Sequence, residues 1–249
     1  IWLKIDAGYH RTGIRWDSFD RIEQCVQAVT KSEHLILRGF LSHSGHTYKA
    51  RSKGDVMKIH EATKKHMLEI RSRFIHKIPD IQLSMGDTPT CSIADDLSGI
   101  DEWRPGNFVF YDLTQETIGS CSYENIAGIV VCPVVAVHSD RNEAVIYGGA
   151  VHFSKEQLIK DGREIYGQAV HLSREGWEAI PQNTVIRSLS QEHGIVTFQD
   201  SSEMQGLKPG DLMGFYPVHS CLTANLLRGY INTSGQIIDH LSGLRKSMH

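Results

Sequence analysis

Five short runs in this 249-residue sequence gather the residue types that do chemistry. The first is Lys4-x-Asp6-x-Gly8-x-x-Arg11-x-Gly13. Lys4 and Asp6 project to the same side of an extended strand. Gly8 and Gly13 permit a sharp exit, which leaves Arg11 at the strand's C-terminal end. A guanidinium there can donate one charge-assisted hydrogen bond to a phenolate or two to a carboxylate; equally, it can be a surface side chain beside a turn. The second run, Ser42-His43-Ser44-Gly45-His46-Thr47-Tyr48, follows an apolar stretch. It offers stacking, proton transfer and hydrogen bonding in one loop. The third, Leu83 to Thr90, opens from apolar residues into Gly86, Asp87, Thr88 and Thr90. Backbone N–H groups and Thr hydroxyls in such a loop can cradle a phosphate, although strand–Gly–Thr–Pro is also a common turn. The fourth, Glu102 to Asp112, is aromatic and carries Arg104 and Tyr111; it reads either as a core strand or as a strand with Arg104 or Tyr111 at the same rim. The fifth is His219-Ser220-Cys221. In an extended segment, residues i and i+2 point the same way, so an imidazole and a thiolate can share one Zn²⁺. Catalytic zinc usually takes three protein ligands plus water, so this pair is incomplete, and a His beside a buried Cys is the plainer alternative.

The elements that must position these runs change character along the chain. Ile1–Ile5, Leu35–Ser42, Ile81–Met85 and Asn107–Asp112 read as strands, and Asp17 to about Ser32 and Asp55–Ile78 as helices, the first with Ile22, Cys25, Val26 and Val29 on one face and the second with Met57, Ile59, Met67, Ile70 and Phe74 as its main apolar residues. Such alternation predicts parallel β/α units over residues 1–115. From residue 116 to 249 the pattern is of short β-rich runs, predicting a mostly antiparallel domain; the weakest stretch, 150–183, gives no assignment. The fold class is therefore α/β plus all-β: the C-terminal half of a (β/α)₈ barrel followed by a β domain. Such a barrel needs about 250 residues, so a preceding half of roughly 125 is expected before Ile1. An open α/β sheet is the alternative.

Bulk properties narrow the partners. Lys plus Arg total 26 against 29 Asp plus Glu, a net charge of −3, with no basic stripe, so no nucleic-acid partner is expected. No apolar run is long enough to span a bilayer, so no membrane partner is expected either. Five irregularly spaced cysteines favour reduced thiols and a cytoplasmic home.

Taken in order, the five runs resemble the D-serine dehydratase and D-threonine aldolase group of pyridoxal-phosphate enzymes, related to alanine racemase. The shared pattern is K-x-D-x-G-x-x-R-x-G, S-H-x-G-H-x-Y, S-M-G-x-T-P, R-P-G-N-F-x-x-Y-D and H-x-C, extending from residue 3 to about 221. Ser190-Gln191-Glu192-His193-Gly194 also resembles this group. The resemblance implies a barrel that carries pyridoxal 5'-phosphate and a β domain that carries Zn²⁺. It would place Arg11 near the cofactor's phenolic oxygen, His43 on the pyridine ring and Tyr48 beside the cofactor. Gly86 and Thr88 would hold the phosphate, Tyr111 would join the same pocket, and His219 and Cys221 would bind the metal. Two departures stand out: the group's Schiff-base lysine lies upstream of the first run, and Phe108 stands where relatives often carry Tyr. For want of that lysine, this stretch by itself is expected to be inactive.

The implied reaction removes water from a small D-amino acid, D-serine first, giving pyruvate and ammonia; zinc would make the β-hydroxyl a better leaving group. The alternatives are retro-aldol cleavage of D-threonine, with His46 as the base near the oxygen, amino-acid racemisation, and a non-catalytic cofactor-binding relative. Relatives of this type are often dimers, so a homodimer is expected.

Overall fold

The structure is a computed structural model that describes residues 1–180 and 184–239. The chain forms two compact units, one of Ile1–Val109 with Thr117–Cys121, the other of Phe110–Glu116 with Ser122 onward. The boundary expected at 115/116 falls inside the helix Leu113–Ile118, and residues 240–249 of the expected second domain lie outside the described residues.

The first unit is a five-stranded, all-parallel sheet. Its elements are β1 (Trp2–Asp6), β2 (Ile14–Arg15), α1 (Phe19–Thr30), β3 (Gly39–Leu41), α2 (Lys53–Phe74), β4 (Gln82–Met85), α3 (Thr88–Ile93) and β5 (Glu102–Trp103). The strand order is β2-β1-β3-β4-β5. Lys4 pairs with Leu41, Leu41 with Ser84, and Ser84 with Glu102, so the carboxyl ends of four strands meet along one edge. Gly39 is dictated by the sheet: a Cβ there would lie 2.0 Å from the Gln82 carbonyl oxygen.

Two helices bury their apolar stripes against this sheet. Ile22, Val26 and Val29 of α1 and Met67, Ile70 and Phe74 of α2 pack with Ile5, Phe40 and Leu83. Ser52 caps α2 by accepting the Asp55 amide at 3.1 Å, and Arg71 and Arg73 complement the dipole at its other end. The α2 stripe continues toward the N-terminus through Thr63, His60 and Val56 rather than through Ile59 and Met57. The N-terminal half of this helix therefore turns polar side chains inward.

The expected strand Asn107–Asp112 is absent. Asn107–Val109 is a 3₁₀ turn, Tyr111 adopts a left-handed φ of 52°, and the strand beside β4 is Glu102–Trp103. Strand preference of aromatic residues expresses packing on a sheet, and Phe108 and Val109 are exposed, at 52% and 56%. Pro105, lacking an N–H, breaks the ladder just before them.

The second unit opens with α4 (Leu113–Ile118), whose first residues it contains, and continues with β6 (Val130–His138), β7 (Glu143–Ile146), α5 (Ala150–Phe153), β8 (Leu158–Lys160), β9 (Arg163–Ile165), β10 (Gly167–Leu172), β11 (Trp177–Ala179), β12 (Val185–Leu189), β13 (Gly194–Thr197), β14 (Leu212–Pro217), α6 (Ser220–Leu227), β15 (Gly229–Ile231) and β16 (Ile237–Asp239). Strands β10-β12-β13-β7-β6-β14 pair antiparallel and close on themselves through β14–β10, forming a six-stranded barrel with β11 attached to β10. Irregularities at Val134/Ala136 and Ile186/Ser188 interrupt the register, as closure of a small barrel requires. Val130, Cys132 and Val134 alternate inward on β6 and meet Ile146, Ile186, Val196 and Phe215 in the core. The stretch 150–183, without an assignment from sequence, contributes α5 and β8 to β11. Among the described residues no helix is long and apolar enough to cross a membrane.

Candidate functional site

The loop after β1 is built around Asp6. Its Oδ1 accepts the Gly8 and His10 amides at 3.0 and 2.9 Å, and its Oδ2 lies 3.2 Å from His10 Nδ1. Burial alone would raise the Asp6 carboxyl, but these amides and the His10 ring hold it below its ordinary value. Gly13 has φ +120°, and a Cβ on it would sit 2.8 Å from the Asp6 nitrogen, so only glycine closes this turn. The turn carries Arg11 over the Tyr9 ring at 5.0 Å.

Tyr9 joins this loop to the one after β3. Its ring stacks on His46 at 5.8 Å and meets His43 edge-on at 5.9 Å. Gly45 makes room for it, because a Cβ there would be 2.5 Å from the phenol ring. His43 Nδ1 lies 2.6 Å from the Gly86 carbonyl oxygen. A carbonyl only accepts, so Nδ1 carries the proton and Nε2 is left as an acceptor in the neutral ring. Burial pushes both imidazoles below their ordinary values, so both are neutral at pH 7. His46 Nδ1 is buried without a hydrogen-bond partner. Tyr48 is half-buried on the same 3₁₀ turn, Gly45–Lys49.

The loop after β4 completes this edge. Gly86 approaches Arg104 so closely that a Cβ would be 2.6 Å from its carbonyl oxygen. Asp87, 2% exposed, caps α3: its Oδ1 accepts the Thr90 amide at 2.8 Å and the Thr47 hydroxyl at 2.9 Å. It thereby ties the Gly86–Thr88 loop to the His46 turn, and burial raises its pKa. Thr88 is fully buried and accepts the Asn107 amide at 2.8 Å. Arg104 donates from Nε to Ser84 Oγ at 2.6 Å and from Nη2 to the Ser42 carbonyl at 2.7 Å. Lys4 has its pKa lowered, first by burial, then by the charges of Arg11 and Arg104. Three cations thus converge where strands β1, β3, β4 and β5 end. Glu102 lies 3.5 Å from Arg104 Nε and offsets part of its charge, while Lys4 stays under the charges of Arg11 and Arg104; this positive excess beside the rings of Tyr9, His43 and His46 fits an anionic group with an aromatic ring, which is the chemistry of pyridoxal phosphate.

Of the expected site residues, Arg11, His43, His46, Tyr48, Gly86 and Thr88 all lie on the loops at this edge. Tyr9, Lys4 and Asp87 are additional members. The signal for Tyr9 was a large aromatic in one loop and a glycine in another, which only the fold brings together.

Tyr111, His219 and Cys221 belong to the second unit. His219 and Cys221 are not in an extended segment: His219 is the residue before α6, with φ −137° and ψ 100°, and Ser220 and Cys221 begin the helix. The reason is that β14 ends at Pro217 and the Ser220 amide is capped by Asp112, so the chain turns helical one residue after His219. The Cys221 residue is exposed; burial of its thiol first, then the Asp112 charge, raises its pKa. Among the described residues no group of three or more His, Cys, Asp or Glu converges as a metal site. The imidazole–thiol pair fits a zinc-type ion as two of its ligands.

Two family models cover most of the chain. Residues 1–113 match the one described as "Alanine racemase, N-terminal domain" and residues 127–233 the one described as "Putative serine dehydratase domain". The chain is 30% identical over 255 residues to a D-serine dehydratase of Dictyostelium discoideum, covering 96% of this chain and 62% of that protein. It is 24% identical over 238 residues to a D-threo-3-hydroxyaspartate dehydratase of Delftia sp. (strain HT23), covering 92% and 61%. The solved structure of the Delftia protein superposes with a TM-score of 0.83 at 25% identity, over 97% of this chain and 65% of that one. Solved variants of that protein include a cysteine-to-alanine form described as metal-free and a histidine-to-alanine form altered two positions away. The chain spans about three-fifths of the length of the curated relatives it matches.

Proposed function

We propose that the chain belongs with the D-serine dehydratase-like proteins that carry an alanine racemase-type N-terminal domain, and that its protein is a pyridoxal-phosphate-dependent lyase that removes water from a D-β-hydroxy amino acid, D-serine first, using a zinc ion held in part by His219 and Cys221. The observation that carries this reading is the convergence of Lys4, Arg11 and Arg104 with His43, His46 and Tyr9 at one sheet edge. When bound, the cofactor supplies an electron sink for charge developing at the substrate's α-carbon, and the metal supplies a Lewis acid for the β-hydroxyl.

The chain's own residues do the rest. Arg11, Lys4 and Arg104 bind and orient anionic groups. His43, its Nδ1 proton held on the Gly86 carbonyl, offers a neutral ring face of fixed tautomer. Tyr9 closes over both histidines and limits water at their rings. His46, stacked on Tyr9 and held neutral by burial, keeps an imidazole beside the same edge. The test of the carrying observation is a cofactor titration of the full-length protein followed by absorbance. Wild type should turn yellow and be bleached by borohydride, and Arg11→Ala should hold the cofactor at least about tenfold more weakly, the loss of one charge-assisted bond. Unchanged affinity in Arg11→Ala would refute the anion-binding role.

A further inference from the structure

Asp112 closes the Tyr111-Asp112 end of the aromatic run, and neither the fold class nor the cofactor reading uses it. It is 1% exposed. Its Oδ1 accepts the Gln115 amide at 2.9 Å, which caps α4. Its Oδ2 accepts the amide of Ser220 at 3.0 Å and the Ser220 hydroxyl at 3.4 Å, across 108 residues of sequence. Two residues on, Thr114 donates its hydroxyl to the Val218 carbonyl at 2.8 Å and its amide to the same oxygen at 3.4 Å. The backbone on both sides of His219 is therefore held by one short segment, 112–114. The first turn of α6, which carries Cys221, starts from the amide that Asp112 caps.

We infer that Asp112, with Thr114, is the positioning residue that fixes the His219–Cys221 pair in metal-binding geometry. The inference rests on the metal reading above. A metal demands ligand atoms placed to a few tenths of an ångström, and His219 and Cys221 straddle the point where strand becomes helix. The carboxylate holds that junction by satisfying the first orphan amide of α6.

The test uses the full-length protein loaded with cofactor and titrated with Co²⁺ in place of Zn²⁺. Thiolate–cobalt charge transfer gives an absorbance that reports Cys221 coordination directly. Wild type should show the band and Cys221→Ala should lose it. Asp112→Ala should keep the cofactor absorbance and weaken Co²⁺ affinity by about tenfold or more, the usual loss when a supporting shell around metal ligands is removed. Asp112→Asn has one carboxamide oxygen where two were used, so it should weaken binding less; this variant decides the matter if Asp112→Ala does not fold. Wild-type Co²⁺ affinity in the soluble Asp112 variants would overturn the inference and leave the metal reading standing. A wild type that shows no cobalt band would overturn both.

Discussion

Replacing Gly86 by Ala tests how the candidate cofactor edge is assembled. The added methyl would lie 2.6 Å from the Arg104 carbonyl oxygen and 2.8 Å from both the Arg104 carbonyl carbon and Cβ. Relaxed carbon contacts run at about 3.5–4.0 Å, so the backbones must part by roughly 1 Å. Arg104 cannot yield freely. Its amide donates to the Met85 carbonyl at 2.9 Å, and its guanidinium is tied to Ser84 and Ser42. Losing the Arg104–Met85 bond costs about 1 kcal/mol, and overpacking a tight contact adds about 1–3 kcal/mol. The expected loss is about 2–4 kcal/mol of unfolding free energy. Gly106→Ala is the internal control: a Cβ there meets nothing within 4 Å, so the change should be neutral or stabilise by up to about 1 kcal/mol. Urea denaturation of both variants reads the difference, with tryptophan emission from Trp103 as a local probe. A Gly86→Ala protein as stable as Gly106→Ala would refute the close approach on which the edge depends.

Three further outcomes follow from the burial of individual groups. Asp87 has its pKa raised by burial, so its contribution to stability is complete below the unfolded carboxyl pKa of about 3.9 and is lost as pH rises through the higher folded value; Asp87→Asn should flatten that decline in a stability-versus-pH series, and an unchanged slope would contradict it. His60 is fully buried with neither ring nitrogen hydrogen-bonded, and burial lowers its pKa, so wild type should lose stability as pH falls below about 6.5; His60→Leu should remove that loss and gain about 1–3 kcal/mol near pH 5.5, which acid-range denaturation will show or exclude. Burial pushes the Cys132 thiol up to about 12 and, with the Asp87 charge, the Cys91 thiol to about 11, so alkylation at pH 8 read by mass spectrometry should label Cys132 last; early labelling of Cys132 would contradict the packing of the barrel core.

What the sequence reveals is what periodicity and strand-end chemistry encode. Ile22, Val26 and Val29 repeat at helical spacing, and the apolar cores of β1, β3 and β4 lead into the loops that carry Arg11, His43 and Gly86. The N-terminal half of α2 misleads, because His60 and Thr63 occupy its inward stripe while Met57 and Ile59 do not. The aromatic run after Pro105 misleads for a related reason: its residue types favour strands only where a sheet receives them, and here they enter a 3₁₀ turn. In the first unit Tyr9 depends on the absence of a Cβ at Gly45, and Asp87 on Thr47; in the second Asp112 depends on Ser220. Each is a tertiary pairing across dozens of residues, invisible to local spacing. His219 and Cys221 attract notice by residue type, but the i, i+2 argument assumed an extended backbone that the cap at Asp112 ends.

Product analysis tests the central claim most directly. The full-length protein, supplied with pyridoxal phosphate and zinc, should release equal amounts of pyruvate and ammonia from D-serine and stop when a chelator strips the metal. Glycine and acetaldehyde from D-threonine without ammonia from D-serine, or ammonia release that persists in metal-free buffer, would contradict the account.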